Sequence, residues 1–124
     1  MTVRWGFIGA GYVASRAMAP AVHAASGAEL YAVASRDAAR SAELEPTIVH
    51  NSYSNLIDDP NVDAVYISLT NVQHKEWVLA ALNAGKHVLC EKPLALNADE
   101  VQIMLSAAER NQRLLVEAVW TRWQ

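Results

Sequence analysis

The sequence has a single cysteine, Cys90, so no disulfide can form within the chain, and one thiol cannot build a structural zinc site. Its four histidines, His23, His50, His74 and His87, fall at no metal-ligand spacing, so no metal is expected. No apolar run approaches the roughly 20 residues of a membrane span. A surplus of positive charge is also lacking. The formal net charge is -3, which gives no electrostatic reason to expect nucleic acid or an anionic membrane as partner. Repeats, low-complexity tracts and linkers are missing. Met1-Thr2-Val3-Arg4 runs straight into a strand-like segment, so no secretory signal is read there. Together these absences favour a reducing, cytoplasmic location.

What is there is an apolar share of 52% against 19% charged over 124 residues, enough for one domain with its own core. Short β-rich runs alternate with helical ones. Val3 to Ile8 is β-branched and aromatic and reads as a strand. Tyr12 to about Ala25 is Ala-rich and helical, closed by Gly27. Pro20 inside it cannot donate to a helix ladder, so a kink or a late start is expected. Leu30 to Ala34 is a second strand, and Ala38 to Leu44 a short helix ahead of Pro46. Ile48 to His50 is a weak strand and Tyr53 to Ile57 a short helix. Ala64 to Leu69 is a continuous apolar strand, as burial on both faces requires. His74 to Lys86 is a helix with Trp77, Val78, Ala81 and Leu82 on one face, ended by Gly85. His87 to Cys90 is the next strand. Asn97 is an N-cap with Glu100 at the third helical position, and Val101, Met104, Leu105 and Ala108 follow at helical spacing. Leu114 to Val119 is the last strand.

Strands alternating with helices imply an α/β fold of Rossmann type, a doubly wound parallel sheet with helices on both faces. Such sheets bind ligands beyond the carboxyl ends of their strands, where the strand order reverses. The residues just after each strand are therefore the candidates.

After the first strand, Gly9-Ala10-Gly11-Tyr12-Val13-Ala14 reads G-x-G-x-x-A. The first glycine permits a tight turn, the second lets the backbone approach a pyrophosphate, and a small third residue lets the helix pack on the strand. A Walker loop is excluded, since Gly85-Lys86-His87 lacks its pattern. After the second strand come Ser35, Arg36 and Asp37. NAD sites usually carry an acid at that place. Ser35 can donate to a phosphate oxygen, and the planar fork of Arg36 suits a 2′-phosphate or the face of adenine. NADP is therefore the expected cofactor. Asp37 leaves NAD open, since it could turn to a ribose hydroxyl, and it could also simply cap the next helix. The neutral Ser35 also argues against a methyltransferase using S-adenosylmethionine, which would want an acid for the ribose hydroxyls. After the fourth strand come Leu69, Thr70, Asn71 and, in the first helical turn, His74. Asn71 can bond ribose or the nicotinamide amide, or cap the helix, and His74 is a structural residue or a proton donor. After the fifth strand, Glu91, Lys92 and Pro93 interrupt the apolar run. Position puts Lys92 near a nicotinamide ring, where an ammonium can polarise a substrate oxygen, and a solvated turn is the alternative.

The segments "RWGFIGAGYVA", "VASRD", "DDPNVDAVYISLTNVQHKEW", "AALNAGKHVLCEKPLALN" and "VEAVWTRW" together resemble the Gfo/Idh/MocA oxidoreductases: glucose–fructose oxidoreductase, inositol dehydrogenase and relatives. Within that family they are most similar to NADP-linked dihydrodiol and D-xylose dehydrogenases. The resemblance implies hydride transfer between the nicotinamide and a hydroxyl-bearing carbon of a sugar, polyol or cyclic diol. It implies that Gly9, Gly11 and Ala14 form the dinucleotide loop and that Ser35 and Arg36 meet the 2′-phosphate and adenine. Asn71 and His74 match the family's loop after the fourth strand. Glu91, Lys92 and Pro93 match its E-K-P signature, whose lysine is the catalytic-site residue and whose preceding bond is cis in some relatives. Thr70 departs from the proline common before the loop asparagine. Family members carry a second α/β domain that supplies much of the sugar pocket, further catalytic groups and the usual oligomer interface. Residues 1–124 are accordingly expected to be the dinucleotide-binding domain without that second domain, with Trp120 and Trp123 short of cover. A non-catalytic nucleotide-binding module, a sensor or an interaction partner, is the alternative; it would share the glycine loop and have no need of Lys92.

Overall fold

A computed structural model describes residues 1–118. Its strands are β1 Val3–Ile8, β2 Ala28–Ala34, β3 Ile48–Val49, β4 Ala64–Ile67, β5 His87–Glu91 and β6 Leu115–Ala118. The helices between them are α1 Ala19–Ala24, α2 Ala38–Glu43, α3 Tyr53–Asp58, α4 Asn71–Asn83 and α5 Ala98–Asn111. All neighbouring strands pair in parallel, in the order β3-β2-β1-β4-β5-β6. The order runs one way from β1 and the other way from β4, so the reversal lies between them. This is the doubly wound arrangement that the alternating pattern implies.

Side chains alternate across the sheet and feed two cores. Phe7, Leu30, Val33 and Tyr66 face α1, where they meet Ala14, Ala19 and Val22, and Phe7 lies edge-on to Tyr66 at 4.9 Å. Ile8, Ala34, Val65, Ile67 and Cys90 face the other way and meet Leu56 of α3, Val78 and Leu82 of α4, and Met104 of α5. Each fully buried Val, Leu, Ile or Phe of this kind stabilises the fold by roughly 1.5–3 kcal/mol.

Several boundaries differ from the sequence reading, each for a local reason. Ahead of Pro20 the helix widens into a π turn, Ala14–Met18, with the Ala19 N–H donating to the Ala14 carbonyl five residues back. A proline has no N–H for the ordinary bond, and its ring crowds the carbonyl four residues earlier, so the wider turn is the expected kink. β4 stops at Ile67 rather than Leu69. The Ser68 N–H still donates to the Ile8 carbonyl at 3.0 Å, but β1 then turns away at Gly9, where φ is +98°, and Leu69 has no strand beside it. α4 begins at Asn71, three residues before His74, because Thr70 caps it. The Thr70 hydroxyl donates to Gln73 Oε1 at 2.8 Å. α5 starts where its cap predicts. Asn97 Oδ1 accepts from the Glu100 N–H at 2.9 Å, and Glu100 reaches back to the Leu96 N–H at 3.0 Å. Val119, assigned above to the last strand, and Trp120 and Trp123 lie outside the described residues.

Candidate functional site

A crevice of about 410 Å³ opens at the carboxyl ends of β1, β2 and β4. It is lined by Gly9, Ala10 and Gly11 after β1, by Ser35, Arg36, Asp37 and Arg40 after β2, and by Ser68, Leu69, Thr70 and Gln73 after β4, with Tyr53 at the start of α3. Most of the residues singled out in the first two loops, and Leu69 and Thr70 of the third, therefore meet in one place.

The two glycines do different things. A Cβ built on Gly9 would sit 2.4 Å from the Ser68 carbonyl oxygen, and its φ of +98° suits only glycine, so the fold itself requires this residue. A Cβ on Gly11 would meet no protein atom within 4 Å. Neither packing nor a left-handed backbone demands glycine there. The bare backbone faces the crevice, which is the opening a phosphate needs to approach main-chain N–H groups. Ala14 is fully buried against the β1 core, as a small residue at that position must be. Tyr12 points outward with the Arg16 guanidinium over its ring at 5.0 Å, and neither it nor Val13 lines the crevice.

After β2 the loop is held by its own hydrogen bonds. The Ser35 hydroxyl donates to the Asp37 carbonyl at 2.7 Å and shares a 2.6 Å hydrogen bond with the Ser41 hydroxyl. Asp37 caps α2, its Oδ1 accepting from the Ala39 N–H at 2.9 Å and the Arg40 N–H at 3.4 Å. The cap reading of Asp37 is thus realised. Arg36 and Arg40 are exposed, and neither guanidinium has a hydrogen-bond or ion-pair partner among the described residues. Asn71 stands at the first position of α4, exposed and without a side-chain hydrogen bond among the described residues, and Thr70 takes the cap role that Asn71 could have had.

His74, Glu91, Lys92 and Pro93 lie outside the crevice lining. His74 is fully buried, its Nδ1 2.8 Å from the Pro93 carbonyl oxygen and its Nε2 3.2 Å from that of Leu69. Its ring therefore joins the crevice loop after β4 to the turn after β5. Glu91 Oε1 accepts from the Tyr66 hydroxyl at 2.6 Å, and burial followed by that carboxylate holds the Tyr66 phenol well above its ordinary range. The Lys92–Pro93 peptide is cis. Lys92 itself is exposed and has no hydrogen-bond partner among the described residues, whereas Leu94 beyond it is tied back by its N–H to Glu117 Oε2 at 2.7 Å. The contrast with Lys86, at the amino end of β5, is sharp. That ammonium is buried and donates to the Asp59 and Val62 carbonyls at 2.8 and 2.7 Å, with burial lowering its pKa. Lys86 is a structural knot, whereas Lys92 is exposed and unpaired among the described residues.

Arg40, Tyr53, Ser68 and Gln73 line the crevice without having been singled out from the sequence. A basic residue four positions after Arg36 was the only readable signal among them. No group of histidine, cysteine or acidic side chains among the described residues could hold a metal ion, and no helix there is long and apolar enough to cross a membrane.

Comparison with known proteins gives this geometry its context. The family model for Gfo/Idh/MocA, described as an oxidoreductase family with an NAD-binding Rossmann fold, matches residues 3–118. An uncharacterized oxidoreductase of Rhizobium meliloti is 42% identical over 124 residues, covering 97% of this chain and 37% of that protein. The trans-1,2-dihydrobenzene-1,2-diol dehydrogenase of Sus scrofa is 39% identical over 133 residues, covering 99% of this chain and 38% of that protein. A 3-ketoreductase of Actinomadura kijaniata, solved in complex with NADP and TDP-benzene, superposes with a TM-score of 0.90 at 37% identity, covering 94% of this chain and 37% of that one. The chain thus spans less than two-fifths of the length of each of these relatives.

Proposed function

The chain belongs to the Gfo/Idh/MocA oxidoreductase family, and from that membership and the crevice we propose that residues 1–124 are the cofactor-binding domain of an NADP-dependent oxidoreductase. The parent reaction is hydride transfer between the nicotinamide and a hydroxyl-bearing carbon of a sugar, polyol or cyclic diol. A second domain supplies the rest of the substrate pocket, the partner acid or base and the oligomer interface. The observation that carries the reading is Gly11, a glycine at the switch point with open space where its side chain would be.

Bound NADP would supply the hydride acceptor and, when reduced, the hydride donor. The chain's own residues do the rest. Backbone N–H groups of Ala10 to Val13 hold the pyrophosphate, the Gly9 N–H being spent on the Ala34 carbonyl at 2.8 Å. Arg36, with Arg40 beside it in the same crevice, takes the 2′-phosphate, which an NAD-type acid at that place would repel. Ser35 keeps that loop in shape through Asp37 and Ser41, and becomes a phosphate donor only by releasing the Asp37 carbonyl. Asn71, whose amide has no partner among the described residues, bonds the ribose or the nicotinamide amide. Lys92 holds the reacting oxygen of the substrate and stabilises charge developing on it. Likeness to an NADP-bound ketoreductase and to diol dehydrogenases supports both the cofactor and the substrate class.

Titration of the chain with NADPH, NADH and S-adenosylmethionine, followed by nucleotide fluorescence and calorimetry, tests the proposal. Saturable NADPH binding, about tenfold or more tighter than NADH, without sugar or diol turnover is the expected result. Failure of NADPH to bind overturns the cofactor reading. Steady-state oxidation by these 124 residues alone overturns the division of labour between two domains.

A further inference from the structure

Ser68 is the first residue beyond β4, directly across from Gly9 at the point where the strand order reverses. Its backbone is fixed by the N–H bond to the Ile8 carbonyl at 3.0 Å. Its side chain leans on Gly9, so closely that a Cβ there would lie 2.9 Å from Ser68 Oγ. The residue lines the crevice, yet Oγ is sealed from solvent and has no hydrogen-bond partner among the described residues. It is the one buried side-chain polar atom among the described residues in that condition.

Folded proteins pair their buried hydroxyls, because an unpaired one is destabilising. A chain that satisfies the other buried polar side chains among its described residues and leaves one orphan in the lining of its crevice keeps a donor in reserve. Serine has three staggered χ1 positions separated by a small barrier, so Oγ can leave Gly9 for the crevice without moving the backbone. The group that belongs nearest Gly9 is the pyrophosphate, since the glycine loop starts there. A hydroxyl donating to an anionic oxygen makes a stronger bond than a neutral pair does.

We propose that Ser68 is a cofactor-positioning residue whose hydroxyl, unpaired in the free protein, donates to a pyrophosphate oxygen of the bound dinucleotide. The proposal rests on the NADP reading above and deepens it. The orphan state raises the free energy of the unliganded chain, so part of the binding free energy is relief of that state.

Ser68→Ala separates this from a structural role because its two readouts move apart. Removing an unpaired hydroxyl leaves the thermal midpoint of the free chain unchanged or raises it. The same change weakens NADPH about tenfold in a fluorescence titration. Adenosine 2′-monophosphate, which has no pyrophosphate, keeps its affinity. Equal NADPH affinity in the variant overturns the inference, and so does a parallel loss of free-chain stability and of both ligands. If the unsubstituted chain does not bind NADPH, the cofactor reading falls and this inference with it; binding that Ser68→Ala leaves untouched removes this inference alone.

Discussion

The imidazole of His74 grips Pro93 by its carbonyl oxygen, 2.8 Å from Nδ1, while Nε2 lies 3.2 Å from the Leu69 carbonyl on the other side. Both partners are acceptors, and a neutral ring can donate to only one of them at a time. His74→Phe fills the space but removes the donor. It should cost about 1 kcal/mol in urea denaturation, since a part-buried carbonyl loses its hydrogen bond. Hydrogen exchange at Leu94 should quicken with it, because the turn carrying Lys92 loses its tie to α4. An unchanged denaturation midpoint would show that the ring is merely accommodated.

Gly9 and Gly11 should respond oppositely to alanine. Gly9→Ala drives a Cβ to 2.4 Å from the Ser68 carbonyl oxygen at a positive φ, and roughly 2–5 kcal/mol of stability should be lost. Gly11→Ala meets no protein atom and should leave the midpoint within about 1 kcal/mol of the parent, on either side. Its NADPH affinity should nevertheless fall. Matched thermal melts and nucleotide titrations of the two variants check the contrast.

Arg36 and Arg40 should set nucleotide preference. Each alanine variant should weaken NADPH by roughly tenfold and leave NADH nearly unchanged, so the preference collapses from one side only. Affinity for NADPH should also drop with added salt more steeply in the parent than in either variant, because exposed charges are screened. Equal losses for both nucleotides would place the arginines elsewhere than at the 2′-phosphate.

Cys90 should be silent in the folded chain. Its side chain is fully buried, and burial, followed by the charges of Glu91 and Glu117, pushes the thiol from an ordinary 9.0 up to about 12. Only the thiolate reacts, so a disulfide reagent at pH 8 should label nothing until denaturant is added, and then one thiol. The same shift has a sign in stability. Below pH 9 both states hold the proton and the thiol contributes fully. From pH 9 towards 12 the unfolded thiol ionises while the folded one does not, so stability falls as pH rises. The raised Tyr66 phenol adds to the loss above its ordinary 10.0. Denaturation midpoints at pH 8, 9 and 10 should decline, and Cys90→Ala should soften the decline.

Much of this was legible in the sequence because the signals are local. The β-branched run Val3 to Ile8, the Asn97–Glu100 cap and the chain-breaking Pro20 each act on their own neighbourhood, and each appears where it was read. The glycine loop and Ser35 to Asp37 were found because ligand sites in such sheets follow strand ends. Ser68 follows a strand end too, but it was hidden inside a strand read on to Leu69. Its importance comes from lying beside Gly9, and that requires knowing that β1 and β4 are neighbours across more than fifty intervening residues. Tyr53 and Gln73 reach the crevice through the approach of α3 and α4, which no spacing along the chain encodes. The start of α4 was read three residues late because Val72 and Asn71 carry no apolar periodicity and Thr70 announces itself only through Gln73.

The crevice has one side on β1 and β2 and another on β4, and no short loop joins the two sides; only the central strand pairing does. A half-assembled molecule, with either wing of the sheet formed but not the seam, lacks one side of the cleft. Whatever occupies the cleft therefore grips the finished molecule best and adds its grip to the last and most global step of assembly. Occupancy should accordingly slow complete unfolding and shield the slowest-exchanging amides of the two middle strands, while the outer edges go on fraying as before.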